Sequence, residues 1–428
     1  MYKATIILTT HNRKDTLEKT VKCLENMDGV SNIIILDNGS QDATKEWLAE
    51  QTYEYIYFDE GTQGYGQIWN AALENFETED YVVFLEAGVY PEKDVIKHLI
   101  EALSSTEVGI ASPVLNQNEC KDFGRVICDK TLATEWKIWA VRKEVLNKNG
   151  YFQENLKCPE NVLLDYGLRL IKNDFYQQRL HVCVNENLHS CNEIYTETTQ
   201  WDEEDLALLK SIWGINYIGL EPNPLLTDGI QEEKEKTFNV LEIGCNLGVT
   251  LFEIQSQYPN CKTYGLEINE AAVDVAKHIA DVRFGDIDDL KVPFTEKFDY
   301  IILGDVLEHL RHPKEVVQMC RNLLNENGYI IASIPNIMHI SVMEELINGR
   351  FIYEDVGLLD KTHIHFFTYY EILQLLMETN YRIIDMKISR IEISDEQKEL
   401  EKKLLALSEQ TEALMYEAFQ YIVKAQKI

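Results

Sequence analysis

Short apolar runs alternate with amphipathic segments through the first half of the chain. The runs at residues 4–8, 33–36, 55–58 and 81–85 are rich in β-branched and aromatic residues. The segments between them, at 15–26 and 44–49, have helical spacing. This alternation is typical of β-α-β units, in which helices cover both faces of a mostly parallel sheet. The pattern predicts a first α/β domain over residues 1–215.

A second alternation begins at Asn239. Apolar runs at 240–243, 263–267, 282–285, 298–303 and 329–334 predict strands, and segments 250–258, 270–280 and 314–325 predict helices. Pro222, Pro224, Gly229 and a charged run over 232–236 precede it, which indicates a linker over 216–236. The chain therefore reads as two doubly wound, Rossmann-like α/β domains, the second over 237–390.

The last segment, 391–428, has a different pattern. Ser394 and Gln397 fit a capping box, so a helix is expected to start there. Spacings of three and four predict an amphipathic helix that docks on its own domain or pairs with a second copy in a homodimer. The seam consists of Leu400, Leu404, Leu407, Thr411, Leu414, Ala418, Tyr421 and Ala425.

The net charge, the apolar runs and the cysteines indicate which partners and which cellular location to expect. The formal net charge of −32 disfavours binding to the phosphates of nucleic acid. No apolar run approaches the roughly 18 residues that span a bilayer. The nine cysteines form no Cys-x-x-Cys pair, which favours reduced thiols over a disulfide or zinc framework. We therefore expect a cytoplasmic protein without a membrane span.

The strongest local motif follows the first strand of the second domain. Gly244 and Gly248 form a Gly-x-x-x-Gly loop before a helix, which lets a nucleoside approach the backbone closely. Glu242 can receive an ammonium group, Glu267 can accept ribose hydroxyls, and Asp286 can hold an adenine amino group. With their neighbours, the predicted cofactor-binding residues are Glu242, Gly244, Asn246, Gly248, Glu267, Ile268, Asp286, Ile287 and Gly304.

About 150 residues of this half resemble the class I S-adenosylmethionine-dependent methyltransferases. Residues 298–310, with their Leu-Glu-His sequence, look like the family's fourth strand, and residues 328–336 look like its fifth. The resemblance implies S-adenosylmethionine as cofactor and a base for a hydroxyl acceptor. His363 is the first candidate, in a stretch similar to methyltransferases of bacterial glycan loci, and His309 is the second. No third ligand is evident beside the His-x-His pair, so no metal site is predicted.

The first domain carries another ordered set of motifs. Its strands end in Thr-His-Asn-Arg at 10–13 and Asp-Asn-Gly-Ser at 37–40, followed by Gly-Tyr-Gly at 64–66 and Asn70. These motifs resemble the inverting family 2 glycosyltransferases of the GT-A fold. The resemblance implies a nucleotide-sugar site formed by Thr10, Asn12, Arg13, Asp37, Asn38, Ser40, Gly64, Asn70 and Glu86.

Two departures concern the chemistry of that domain. The family's Asp-x-Asp metal motif is replaced by Glu-Ala-Gly at 86–88, which leaves a divalent metal with few oxygen ligands. The segment of the catalytic base retains Asp165 but has Val162 and Leu163 where a Glu-Asp pair is expected; Glu160 is an alternative. The domain could transfer sugar, retain only a nucleotide or glycan pocket, or act as a scaffold.

The combination suggests an enzyme that O-methylates a sugar hydroxyl on a glycan or a glycan precursor. The first domain would add that sugar from a nucleotide-sugar co-substrate, or hold the glycan. Two alternatives differ in class: a methyltransferase with an inactive glycan-binding module, or a glycosyltransferase regulated by S-adenosylmethionine. In a third alternative both pockets are vestigial and the chain assembles larger complexes.

Overall fold

The computed structural model describes residues 3–25, 27–59, 63–113, 128–132, 135–180, 184–185, 203–215 and 222–428. The chain divides into two compact units, residues 1–221 and 222–428. Within the described ranges, no helix has the length and apolar content needed to cross a bilayer. The five cysteines whose side chains the structure describes are free thiols.

The first unit contains an eight-stranded mixed sheet in the order β3-β2-β1-β4-β8-β6-β9-β7 and a two-stranded sheet of β5 and β10. Strands β1 to β4 are mutually parallel, and β8 is antiparallel to both β4 and β6. The strands are β1 (Ala4–Thr10), β2 (Val30–Asp37), β3 (Glu54–Tyr57), β4 (Tyr81–Glu86), β5 (Tyr90–Pro91), β6 (Val108–Pro113), β7 (Cys128–Thr131), β8 (Ile138–Arg142), β9 (Tyr176–Leu180) and β10 (Val184–Asn185).

Helices cover both faces of this sheet. Ile6 and Leu8 of β1 belong to one hydrophobic cluster and Ile7 belongs to the other, so the strand is buried on both faces. Phe84 and Trp139 stack with ring centroids 4.2 Å apart at the centre of the second cluster. The helices are α1 (Lys14–Leu24), α2 (Thr44–Ala49), α3 (Tyr65–Asn75), α4 (Val95–Ala102), α5 (Lys143–Asn149), α6 (Pro159–Lys172) and α7 (Glu203–Trp213).

The second unit contains a seven-stranded sheet in the order β13-β12-β11-β14-β15-β17-β16. Strands β11 to β15 run parallel, and β17 is antiparallel to β15 and β16 on its two sides. The predicted α/β class is confirmed in both units. The strands are β11 (Asn239–Ile243), β12 (Lys262–Glu267), β13 (Asp281–Phe284), β14 (Phe298–Gly304), β15 (Leu324–Pro335), β16 (Tyr381–Ser389) and β17 (Gln420–Lys427).

Helices also flank this sheet on both faces. Leu241 and Ile243 of β11 belong to one buried cluster and Val240 to another. Residues 216–221 of the predicted linker lie outside the described residues, whereas Leu226 and Ile230 are buried in the second unit's core. The helices are α8 (Pro224–Thr227), α9 (Val249–Gln257), α10 (Glu270–Ala276), α11 (Pro313–Leu323), α12 (Ile340–Ile347), α13 (Tyr369–Glu378), α14 (Asp395–Leu405) and α15 (Ala413–Glu417).

The prediction of one amphipathic helix over 391–428 is wrong. The capping box at Ser394 and Gln397 forms, but α14 ends at Leu405, and the chain returns through α15 as strand β17. Tyr421 and Ala425 therefore lie on a strand rather than on a helical seam. A strand forms because β15 and β16 both offer backbone partners to residues 420–427, and alternate side chains enter the core.

Two substitutions distinguish a C-terminal strand from the predicted C-terminal helix. Tyr421 is fully buried beside Tyr369, whereas Leu407 is 81% exposed. Tyr421→Ala is expected to lower the free energy of unfolding of the second unit by about 3 kcal/mol or more, because it leaves a cavity in the core. Leu407→Ala should change it by less than about 0.5 kcal/mol. Urea denaturation of the full chain measures both values, and a similar loss in both variants would contradict the strand.

Candidate functional site

The loop after β11 has the backbone conformation that the glycine motif predicts. Gly244 and Gly248 have φ angles of 72° and 76°, in the left-handed region. A Cβ atom on Gly244 would lie 2.8 Å from Cγ2 of Val306. Asn246 between them also has a positive φ, of 45°. The backbone thus requires glycine at 244 and 248, and Gly244 is exposed, so a ligand can approach the main chain there.

Glu267 connects this loop to the end of the neighbouring strand. Its Oε2 accepts a hydrogen bond of 2.8 Å from the backbone N–H of Asn246, and its Oε1 accepts one of 2.8 Å from Asn269. Each carboxylate oxygen has a further lone pair for ligand hydroxyls. The structure therefore brings Asn246 and Glu267 together at the carboxyl ends of β11 and β12.

Glu242 has a buried carboxyl group, one oxygen of which has no hydrogen-bond partner. This oxygen is Oε2, and Thr250 is the side chain that hydrogen-bonds to the carboxyl group. Burial raises the pKa of Glu242 to about 8. A buried acceptor without a partner is costly unless a ligand supplies a donor. Together with the open glycine loop, this orphaned oxygen fits the ammonium group of S-adenosylmethionine.

The other predicted cofactor residues have mixed surroundings. Asp286 accepts a hydrogen bond of 2.9 Å from the N–H of Asp288 and caps the short helix Ile287–Asp289. Ile287 is buried in the core, whereas Ile268 is 60% exposed beside Glu267. A Cβ atom on Gly304 would lie 2.9 Å from Cδ1 of Leu226, so this glycine makes room for a core leucine.

The two predicted catalytic histidines meet in space. The rings of His309 and His363 lie 4.7 Å apart, edge to face; His309 is exposed and His363 is buried. The sequence prediction missed Glu308, whose Oε1 lies 3.9 Å from Nε2 of His363. Burial raises the pKa of Glu308 to about 8. The Leu-Glu-His motif already contained this residue, but its burial is a tertiary property.

In the first unit, the predicted nucleotide-sugar residues gather at the ends of β1 and β2. Thr10 and Asp37 are register partners, and the Oδ1 of Asp37 accepts a hydrogen bond of 3.0 Å from the N–H of Ser40. Ser40 Oγ accepts a hydrogen bond of 2.7 Å from the N–H of Asn12. The side chain of Asn38 donates to the carbonyl oxygen of Gln63 and accepts from its N–H. Burial raises the pKa of Asp37.

Glu86 does not form a metal site in the structure. It is buried, its Oε2 accepts a hydrogen bond of 3.2 Å from the hydroxyl of Tyr65, and the positive charge of Arg13 lies close. Desolvation raises the pKa of Glu86 to about 8. One buried carboxyl group beside a cation does not fit a divalent ion.

Three predicted residues of the first unit have structural roles. Both side-chain polar atoms of Asn70 bond the backbone of Phe152, at 2.9 Å each. A Cβ atom on Gly64 would lie 2.8 Å from the carbonyl oxygen of Leu156. Asp165 accepts hydrogen bonds of 3.0 Å from Arg169 and from the indole of Trp213, which hold its carboxylate between α6 and α7. Glu160 remains as a partly buried carboxyl group whose pKa is raised by burial.

Comparisons with known proteins divide the chain in the same order. The family model for glycosyl transferase family 2 matches residues 5–175, and a model described as a methyltransferase domain matches residues 208–385. Ubiquinone biosynthesis O-methyltransferases are similar over 143 residues: 32% identical in Glaesserella parasuis and 29% in Actinobacillus pleuropneumoniae. Each match covers 30% of this chain and 60% of the relative, so the chain spans about three-fifths of those proteins.

Solved structures of both kinds are similar to the chain. One is an S-adenosylmethionine-dependent methyltransferase from Methanosarcina mazei (14% identity, 49% of this chain and 99% of that chain, TM-score 0.35). Another is a mannosyltransferase from Pyrobaculum calidifontis in complex with GDP-mannose and Mn²⁺ (17% identity, 41% and 55%, TM-score 0.34). On the evidence of the two family models, this chain is a fusion of a family 2 glycosyl transferase domain with a class I methyltransferase domain.

Proposed function

We propose that the second unit transfers a methyl group from S-adenosylmethionine to a sugar hydroxyl on a glycan or a glycan precursor. The observation that carries this proposal is the row of acids at the carboxyl ends of parallel strands. Glu242 lies at the carboxyl end of β11, Glu267 is the last residue of β12, and Asp286 follows β13, beside the loop that carries Gly244 and Gly248.

Each acid has a distinct task in this proposal. Glu242 binds the ammonium group, which satisfies its orphaned Oε2. Glu267 accepts the ribose hydroxyls, and Asp286 accepts from the adenine amino group. The exposed side chain of Ile268 offers an apolar cover for the base. Bound in this way, S-adenosylmethionine supplies a methyl group that is electrophilic because it is attached to a sulfonium.

The acceptor side is the cluster of Glu308, His309 and His363. Glu308 and His309 follow β14, so the cluster lies at the same edge of the sheet as the acids at the ends of β11 and β12. His309 is exposed and can reach an acceptor, whereas His363 and Glu308 lie behind it. A general base that accepts the proton of the acceptor hydroxyl typically increases the rate by about 10²- to 10⁴-fold.

Two observations favour a sugar as the acceptor, and a third favours a hydroxyl group. The chain carries a family 2 glycosyl transferase domain, and the similar curated proteins are O-methyltransferases of ubiquinone biosynthesis. In addition, Phe351 and Tyr353 are half-exposed and pack edge to face, with ring centroids 5.4 Å apart. Phe366 connects Phe351 to His363. Exposed aromatic faces beside a polar cluster suit a ligand that is apolar on its ring faces and polar at its edges.

Transfer of labelled methyl groups tests this function. The full chain is incubated with S-adenosylmethionine labelled in the methyl group and with glycans extracted from cells that lack the gene. This reaction should give a labelled O-methyl sugar. His363→Ala should lower turnover at least about tenfold without changing the affinity for S-adenosylmethionine. His365→Ala, two residues away, is the matched control and should retain turnover. Label confined to non-sugar products would contradict the proposed acceptor.

A second proposal concerns the first unit, which we infer to bind a nucleotide sugar. Thr10 Oγ1 and Asp37 Oδ2 are buried at neighbouring strand ends and have no hydrogen-bond partner. Such groups favour a ligand that donates N–H or O–H groups, as a base and a ribose do. The bound sugar would be transferred to the glycan or held for methylation.

Calorimetric titration with a panel of nucleoside diphosphates tests the second proposal. One nucleotide should bind the full chain, and Asp37→Ala should weaken that binding at least about tenfold, because the buried acceptor is removed. Asp59→Ala is the control, since Asp59 is largely exposed and pairs with Lys45. Release of the diphosphate from a matching nucleotide sugar would indicate transfer. Equal binding by the Asp37 variant, or no binding of any nucleotide, would contradict the proposal.

A further inference from the structure

We infer that Glu308, His309 and His363 bind one divalent transition-metal ion at the acceptor side of the methyltransferase unit. Binding of the ion does not depend on the proposed function, whereas its catalytic role rests on that function. One possible ligand atom from each residue lies within 4.8 Å of the other two. Among the residues that the structure describes, this is the one group of three or more potential ligands that is so compact.

The separations are close to those of a metal site. In a tetrahedral site with ligand distances of about 2.1 Å, the ligand atoms lie about 3.4 Å apart. Nε2 of His363 already lies 3.9 Å from Oε1 of Glu308. Shifts of less than about 1 Å per side chain would therefore close the three ligands around an ion.

Hydrogen bonds set both imidazoles in the form that a metal requires. Nδ1 of His363 lies 3.2 Å from the carbonyl oxygen of Leu358, which can only accept, so the ring proton is on Nδ1. Nδ1 of His309 likewise faces the carbonyl oxygen and the hydroxyl of Thr362, at 3.3 and 3.1 Å. Both rings therefore keep a lone pair on Nε2. Histidine ligands of metals usually donate their other N–H to such oxygens.

Thr362 extends this support to a carboxylate. Its hydroxyl donates to Oδ1 of Asp360 at 2.6 Å, so its own oxygen accepts from His309. Backbone hydrogen bonds also fix the loop that carries His363. The N–H groups of Ile364 and His365 donate to the carbonyl oxygen of Glu308, at 2.9 and 3.0 Å. Hydrogen bonds between the 308–309 and 360–365 segments thus fix the orientation of the side chains that would bind the ion.

The surroundings of Glu308 are an independent observation that points to a cation. The residue is 1% exposed, and neither of its carboxylate oxygens has a hydrogen-bond partner. Asp305 and Asp360 lie close enough to add negative potential at this carboxyl group. A buried carboxylate needs a paired charge or a coordinated metal, and one carboxylate with two imidazoles is a common set for Zn²⁺ and for Fe²⁺.

The bound ion would activate the acceptor. With three protein ligands, a coordination position remains for a sugar hydroxyl, whose pKa falls on binding. The proton passes to water, the oxygen forms a bond to the methyl carbon, and the carbon–sulfur bond breaks to leave a neutral thioether. Both histidines then act as ligands, and the ion rather than a free imidazole activates the hydroxyl.

Metal titration of the full chain tests the site. After treatment with a chelator, Co²⁺ followed by absorption and Zn²⁺ followed by calorimetry should each bind at one ion per chain, without the thiolate charge-transfer band of cysteine ligands. Glu308→Gln and His363→Ala should weaken binding by more than the roughly 10- to 100-fold typical of lost outer partners. Glu315→Gln and His365→Ala are the matched controls. No binding, or equal binding by the ligand variants, would overturn the site.

Activity separates the site from the proposed function. Chelated protein should bind S-adenosylmethionine as before, lose methyl labelling of glycans at least about tenfold, and regain it with Zn²⁺, Mn²⁺ or Co²⁺. Labelling that is indifferent to the chelator would overturn the catalytic role of the ion. Metal binding that depends on Glu308 without labelling under any condition would support the site and contradict the sugar methyltransferase. Circular dichroism and binding of S-adenosylmethionine verify that each variant folds.

Discussion

Burial of carboxyl groups at the ends of parallel strands is the constraint on which both units depend. Glu242 and Glu308 in the second unit, and Asp37 and Glu86 in the first, are all at least nine-tenths buried. Each has its pKa raised by desolvation. A globular interior excludes such groups unless something pairs with them. Their positions therefore indicate where ligands of the opposite polarity, or hydroxyl donors, belong.

The sheet explains why these acids converge. Parallel strands place their carboxyl ends at one edge, and the loops after them carry the side chains that face a ligand. In the second unit, β11, β12 and β14 are adjacent and parallel, so Glu242, Glu267 and the Glu308 cluster share that edge. Antiparallel β17 lies between β15 and β16 and pairs with both, and its buried side chains pack in the core of the unit.

Much of this arrangement could be predicted from local patterns. Alternating apolar runs and helical spacings predicted the α/β class of both units, and the glycines at 244 and 248 have the backbone angles that their motif requires. Local patterns could not decide between a helix and a strand where the spacing of apolar residues fits both. The positions of Ala418, Tyr421 and Ala425 fit a helical seam. Residues 420–427 form a strand instead, because β15 and β16 pair with them on both sides. Likewise, the local motifs of Asp165 and Asn70 did not predict their hydrogen-bond partners, Trp213 and Phe152, which are distant in the sequence.

The central claim is that the strand-end acids bind S-adenosylmethionine, and calorimetric titration of the full chain at pH 7 tests it most directly. One site per chain is expected. Glu267→Gln should weaken binding at least about tenfold, or 1.4 kcal/mol, while exposed Glu270→Gln should not. Glu242, with a pKa of about 8, is protonated in the free chain, and a bound ammonium group would ionise it. Binding should therefore release a proton that Glu242→Gln abolishes. No binding, or binding indifferent to Glu267→Gln and Gly244→Arg, would contradict the account.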